Sequence, residues 1–328
     1  MRQGIEEVHW ELTNRCNFHC VHCYLAGEPR RELSTEESLR LIGERESAGV
    51  LGLTLTGGEP TLRKDFPELY RAAHGRGFLI NVFTNGSRIT ENLVELFLEC
   101  PPQKVEITLN GISEGVFEAV TAVKGSFSAT MDGIRRLNEA GITLGLKTNG
   151  MTVNKGEILA IKSFAQGLPN TFFKFDTAIM PRRDHDPAPT AFRLRPREIL
   201  EIYGGDEEFR RQMEAECGSI AGGAPERVFT CAAGSTRFHI SAWGDLHPCH
   251  TVRPIRRSLR EMGFSAAVES IQREIAGVVY PDGSACGSCG IFSKCNSCPG
   301  LAHLEGRSSV LRAEYHCEVA HAVVEEFR

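Results

Sequence analysis

Six short apolar or alternating runs mark the first half of the chain: Val8–Thr13, Leu51–Thr56, Leu79–Thr84, Val105–Leu109, Thr143–Thr148 and Thr171–Asp176. Their length and composition predict strands. Stretches of helical period separate them. Ser34-Thr-Glu-Glu37 is a capping box opening a helix toward Gly49, and Phe66–His74, Glu91–Glu99, Phe127–Ala140 and Glu157–Gln166 follow. Such alternation implies parallel strands joined by right-handed helical crossovers. Periodicity alone leaves an open barrel and a doubly wound sheet both possible. The polar residues favour the barrel, because each cluster of them falls just after a strand: Cys16 to Cys23, Gly57-Gly-Glu-Pro60, Thr84-Asn-Gly86, Asn110-Gly111, Thr148-Asn149 and Asp176. In a partial (β/α)6 barrel all six would share the C-terminal rim, where active sites of parallel barrels lie.

At 328 residues the chain is about two domains long by the prior of ~150 residues each. A net charge of −5 with pI near 6.2 provides no basic footprint, which argues against nucleic acid and anionic membrane as partners. Acidic residues in Met1-Arg-Gln-Gly-Ile-Glu-Glu-Val exclude a signal peptide there, and no run of ~18 apolar residues occurs. A cytoplasmic location follows, and in that reducing setting the twelve cysteines are expected to be metal ligands rather than disulfides.

Cys16, Cys20 and Cys23 stand at CxxxCxxC spacing within Glu11-Leu-Thr-Asn-Arg-Cys-Asn-Phe-His-Cys-Val-His-Cys-Tyr24. Three thiolates can hold three irons of a four-iron cube, leaving the fourth open to a small molecule. A three-ligand zinc site or a disulfide framework are the competing readings. The spacing, the lead-in Thr13-Asn14-Arg15 and the following Tyr24 resemble the cluster loop of radical S-adenosylmethionine (SAM) enzymes. The resemblance implies that SAM chelates the open iron and is cleaved to a 5′-deoxyadenosyl radical. It also implies that Gly57, Gly58, Glu59 and Pro60, at the second strand end, gather the methionyl end of SAM, with Glu59 offering a carboxylate to its ammonium group. Asn85, Asn110 and Thr148 lie where family members meet the ribose or carboxylate of SAM. The fourth strand departs from the usual Ser-Leu-Asp-Gly, having Thr108-Leu-Asn-Gly111, and both Asn-Gly pairs equally suit turns with positive φ.

After the sixth strand, Asp176, Arg182, Arg183, Asp184 and His185 are candidates to line a substrate mouth, the arginines gripping a carboxylate; a solvated connection is the plainer alternative. Pro196 to Glu216 is expected to be a helical linker. The pattern beyond it is Cys231, Gly244, Cys249, then Cys286-x2-Cys289-x5-Cys295-x2-Cys298, then Cys317. Seven cysteines there far exceed ordinary usage. Phe238 to Pro248 alternates around Gly244 like a hairpin that would draw Cys231 and Cys249 together. This stretch resembles the SPASM domain, a small cysteine-rich α+β extension of many radical SAM enzymes, except that the last cysteine pair has two intervening residues where the usual pattern has three. By that resemblance Cys231, Cys249 and Cys298 ligate one auxiliary cluster, and Cys286, Cys289, Cys295 and Cys317 a second. A zinc ribbon is the alternative, opposed by the odd cysteine count.

The expected layout is therefore a barrel at 1–190, a linker at 191–227 and the auxiliary domain at 228–328. SAM and three 4Fe–4S clusters are the implied cofactors, with an external one-electron donor of flavodoxin or ferredoxin type. Cys100 and Cys217 are ordinary thiols in this scheme, although Cys217 can serve as an eighth ligand, and His19 and His22 are incidental. His250, Asp176 and Arg183 are candidate catalytic groups. The chain lacks the aspartate and extra cysteine of anaerobic sulfatase-maturing enzymes, which argues against that activity. Family resemblance implies oxidative modification of a peptide, as in crosslinking. The alternatives are a radical SAM enzyme of cofactor, tetrapyrrole or small-molecule biosynthesis, and a non-catalytic iron–sulfur electron carrier. No leader-binding module precedes the first strand, so a peptide substrate is expected to need separate recognition.

Overall fold

Strands β1 (Glu7–Thr13), β2 (Gly52–Gly57), β3 (Leu79–Thr84), β4 (Lys104–Thr108), β5 (Leu144–Asn149) and β6 (Thr171–Asp176) pair in chain order, every pair parallel. They belong to a computed structural model that describes residues 4–28, 30–218, 226–295, 298–306 and 312–328. Helices α1 (Thr35–Ser47), α2 (Phe66–His74), α3 (Glu91–Glu99), α4 (Glu114–Thr121), α5 (Ser126–Glu139) and α6 (Ile158–Gln166) form the crossovers. The expected capping box is present on α1: Ser34 Oγ accepts from Glu37 N while Glu37 accepts from Ser34 N at 2.8 Å.

Alternation along the strands sorts their side chains. Val8, Trp10, Leu12, Leu53, Leu55, Ile80, Val82, Val105, Ile107, Leu144 and Leu146 are each at most 2% exposed. They form the layer under the helices, each worth ~1.5–3 kcal/mol of burial. The intervening residues are polar: Glu7, His9 and Glu11 on β1, Asn81 on β3, Lys104 and Glu106 on β4, Lys147 on β5 and Lys174 on β6. Contacts across the concavity, such as His9 against Phe83 at 5.9 Å and Lys147 Nζ 3.3 Å from the Phe83 ring centre, curve the sheet into a partial barrel.

Three features differ from expectation. Helix α4 is unanticipated, being only eight residues long with Gly115 in its first turn. The stretch Pro196 to Glu216 is two helices, α7 (Pro196–Gly204) and α8 (Glu207–Cys217), because the chain turns at Gly205 and Asp206 caps the second by accepting from Phe209 N. The sheet also does not stop at β6 and β1. Strand β7 (Arg237–Ile240) adds parallel to β1, and β8 (Asp245–His247) and β9 (Arg257–Ser258) follow antiparallel, giving the order β6-β5-β4-β3-β2-β1-β7-β8-β9. The hairpin expected around Gly244 is thus β7–β8, and Gly244 takes the positive φ of 85° its turn requires. The expected boundary at 228 separates segments of one continuous sheet. Residues 219–225 of the expected linker, and 296 and 297 between the last cysteine pair, lie outside the described residues.

Helices α9 (Phe264–Ala276), α10 (Pro299–Leu304) and α11 (Glu314–Phe327) complete the fold. Met213 and Cys217 of α8 pack with Val324 and Phe327 of α11. Among the described residues no helix is long and apolar enough to cross a membrane.

Candidate active site

The loop leaving β1 carries the first three cysteines and is tied down at both flanks. On one side Glu32 accepts from Asn14 N at 2.8 Å and from the Thr13 hydroxyl at 2.9 Å. On the other, His19 N and Val21 N donate to the carbonyls of Thr121 and Val120 at the end of α4, and Phe18 packs edge-on to Phe117. The short helix missed in the sequence is therefore the shelf under the cysteine loop. Burial raises the Cys16, Cys20 and Cys23 thiols, Cys20 to about 12 with added repulsion from Cys23 and Cys16. Groups that resist ionising because they are buried and mutually repelling are suited to a cationic centre, which supplies the missing positive charge and deprotonates them. Among the described residues no three His, Cys, Asp or Glu side chains are gathered for one metal ion. A single zinc would need its sulfurs converging at ~2.3 Å on one point.

Gly57-Gly-Glu-Pro60 lies against this loop. A Cβ on Gly57 would stand 2.3 Å from the Thr13 carbonyl oxygen, and one on Gly58 would stand 2.3 Å from that of Arg15. Only glycine lets Gly58 N and Glu59 N donate to Thr13 O and Arg15 O, each at 2.8 Å. Glu59 is fully buried. Its carboxylate accepts from Thr84 Oγ1 at 2.8 Å, Asn85 N at 2.7 Å and Thr61 Oγ1 at 2.7 Å. Burial raises its pKa, opposed by these donors. In this structure Glu59 is the clamp joining the ends of β2 and β3. Asn85, so held, directs Nδ2 to Asn17 Oδ1 at 2.9 Å and toward Cys16 Sγ at 3.8 Å.

Asn110 and Thr148 are 2% and 1% exposed. Asn110 accepts from Asn149 N at 2.9 Å and lies 3.4 Å from His22 Nε2, whose ring burial brings to about pKa 4. Thr148 shares the helix-facing side with Leu144 and Leu146, and its hydroxyl donates to the Leu109 carbonyl at 2.6 Å.

Arg183 is not the free fork expected at a substrate mouth. It is 8% exposed, and both Nη atoms bond to the Glu11 carboxylate, one at 2.9 Å. Burial disfavours the Arg183 charge, but Glu11 more than offsets this and raises its pKa; burial likewise pushes Glu11 up, and Arg183 reverses that. The pair bridges β1 to the chain beyond β6 and spans the barrel's open side. The Arg183 guanidinium lies 5.0 Å from the Tyr24 ring centre. His239 reaches Glu11 from β7 at 3.5 Å and is brought by burial to about pKa 4. Asp176 is exposed and accepts from Ala178 N at 2.8 Å as a turn residue. Arg182 pairs with Asp186, Asp184 accepts from Asp186 N, and His185 meets the Leu304 carbonyl.

His250 sits 5.4 Å from the Tyr24 ring, with Nδ1 3.4 Å from Cys249 Sγ. Burial raises the Cys249 thiol, but His250 and the Thr251 hydroxyl outweigh it and bring it to about 6. The same hydroxyl lies 3.5 Å from Cys249 Sγ and 3.8 Å from Cys298 Sγ. Cys231 is exposed, and the described contacts do not join it to Cys249. Cys286, Cys289, Cys295 and Cys317 line one cavity of about 70 Å³, together with His316 and His321, which sequence reasoning missed. None of the twelve cysteines is in a disulfide.

Comparison with known proteins agrees with this arrangement. A model of the radical SAM superfamily matches residues 10–165. AdoMet-dependent heme synthase of Methanosarcina barkeri is 26% identical over 94% of this chain and 95% of its own length. Mycofactocin maturase MftC of Mycolicibacterium smegmatis is 40% identical over 41% of this chain, a match spanning 34% of that protein. In fold, Streptococcus suis SuiB bound to precursor peptide SuiA superposes with a TM-score of 0.74 at 17% identity, covering 95% of this chain and 76% of SuiB. With its cysteine loop set on the C-terminal rim of a partial barrel, the stretch 10–165 is a radical SAM domain.

Proposed function

We propose that this enzyme oxidatively modifies a peptide, using SAM and a 4Fe–4S cluster held by Cys16, Cys20 and Cys23. The observation that carries the reading is the half-buried thiol trio, joined from Cys16 through Asn85 to the Glu59 clamp at the rim. When bound, these groups supply a 5′-deoxyadenosyl radical that abstracts a hydrogen atom from substrate. Gly57, Gly58, Glu59 and Pro60 hold the strand end that faces SAM, and Asn85 and Asn110 border it. Thr148 supports that border through the Leu109 carbonyl. The Glu11–Arg183 pair closes the barrel side against water. His250, tilted against Tyr24, is the candidate proton acceptor.

Residues 228–328 form, in this reading, a SPASM domain after a barrel at 1–190 and a linker at 191–227. Cys286, Cys289, Cys295 and Cys317 hold one auxiliary cluster, a grouping supported by their common cavity. Cys249 and Cys298, linked by Thr251, hold the other with Cys231. A flavodoxin- or ferredoxin-type donor in the cytoplasm supplies electrons. A tetrapyrrole substrate is the second reading, favoured by the heme synthase match over nearly the whole of both chains.

Anaerobically reconstituted protein given dithionite and SAM should release 5′-deoxyadenosine, and Cys16→Ala should abolish this. Iron analysis should give about twelve irons per chain for three clusters. Release of none by the wild type would overturn the catalytic reading. A value near four irons would remove the auxiliary clusters.

A further inference from the structure

Closed eight-stranded parallel barrels fill their interior with Val, Ile and Leu. Here the concave face of β4, β5 and β6 carries charge. Glu106, 1% exposed, receives Lys104 Nζ at 2.8 Å and Lys174 Nζ at 2.7 Å on one oxygen and Lys147 Nζ at 3.3 Å on the other. Three ammonium groups against one carboxylate leave two positive charges uncompensated. The carboxylates on the opposite wall are already engaged: Glu11 with Arg183, and Glu7 with His9, Thr54 and Asn81.

The lysines are built in rather than loosely solvated. Lys147 and Lys174 are register partners on adjacent strands. Lys147 lies on the Phe83 ring, and Lys174 and Lys104 lie 5.3 and 5.4 Å from the Phe172 ring centre. Gly145 makes room for that ring, since a Cβ there would stand 2.5 Å from Phe172 Cζ and 2.9 Å from Glu106 Cγ. Yet the side chains of Lys147 and Lys174 keep 25% and 48% of their surface exposed, so neither side chain is sealed off. Burial lowers Lys147 to about pKa 8 in spite of Glu106, as for a cation short of counter-charge. Lys147 pairs in register with Thr108 and touches Phe83. These lie two residues before Asn110 and Asn85, so the charge sits directly beneath the cysteine rim.

We propose that Lys147 and Lys174, braced by Glu106, bind a carboxylate of the substrate in the barrel interior, an inference that rests on the radical SAM reading. An acidic side chain of a peptide and a propionate of a tetrapyrrole present the same group. The test uses reconstituted full-length protein and four probes: a fluorescent hexa-glutamate peptide, its glutamine counterpart, coproporphyrin III and its tetramethyl ester. Lys147→Gln or Lys174→Gln should weaken the acidic probe by about tenfold or more, as expected for losing a charged hydrogen bond. Lys147→Arg should restore binding, and the surface change Lys64→Gln should do nothing. Iron content and melting temperature monitor folding. Equal binding of acidic and neutral probes by the wild type, or glutamine variants indistinguishable from Lys64→Gln, would overturn the site. Lysine-dependent binding of coproporphyrin alone would uphold the site and reject the peptide as its source. Release of 5′-deoxyadenosine by the wild type is scored separately, so a failed carboxylate site and a failed radical SAM reading give different results.

Discussion

Glu11 and Arg183 are 172 positions apart and meet where neither is accessible to water. Removing one partner strands the other's charge in a buried site, so Glu11→Gln should cost about 3–5 kcal/mol. Chemical denaturation measures this, and the double change Glu11→Gln with Arg183→Met should recover much of the loss. His239 and His247 make a separate claim. Burial holds His239 near pKa 4 and His247 well below the ordinary 6.5. Below about 6.5 the unfolded chain takes up protons that the folded chain refuses, so stability falls as pH drops from 6.5 toward 4. Each histidine contributes at most about 1.4 kcal/mol per pH unit there. His239→Gln should flatten that slope in urea melts taken between pH 7 and 5. The cysteine loop was legible because its spacing is local in the chain. The partner of Arg183 was not, because nothing local in either segment names the other.

The element that best rewards scrutiny is the end of β2. At its two glycines the nearest atoms to the absent Cβ positions are main-chain atoms of residues 13–15. Gly58→Ala should therefore push β2 away from the cysteine loop, lower iron content and reduce the melting temperature, whereas Gly156→Ala, with nothing within 4 Å, should change neither. Iron assay and calorimetry on the two variants decide it. The six strands and five of the six crossover helices were readable because period 2 and period 3.6 were strong and the capping box of the first helix explicit. Helix α4 was hidden by its length, and the split of the linker by a glycine pair inside a helical pattern. The charged lumen was written in the alternate residues of β4, β5 and β6. Attention to strand ends passed over it.

The whole molecule is one sheet with helices outside, and β1 stands between β2 and β7 with both neighbours parallel. Amides of Phe238–Ile240 should thus exchange with solvent as slowly as those of β1, while β6, at the sheet edge, exchanges faster. Hydrogen–deuterium exchange resolved by segment checks this; rapid exchange in β7 alone would mean that the C-terminal half docks loosely. Arg260 reinforces the union by bonding Glu37 of α1 and the Trp243 carbonyl. A shared strand couples whatever steadies either half. Any effect that binding at one end of such a ribbon has on affinity at the other must be returned by an equal factor, since linkage is reciprocal.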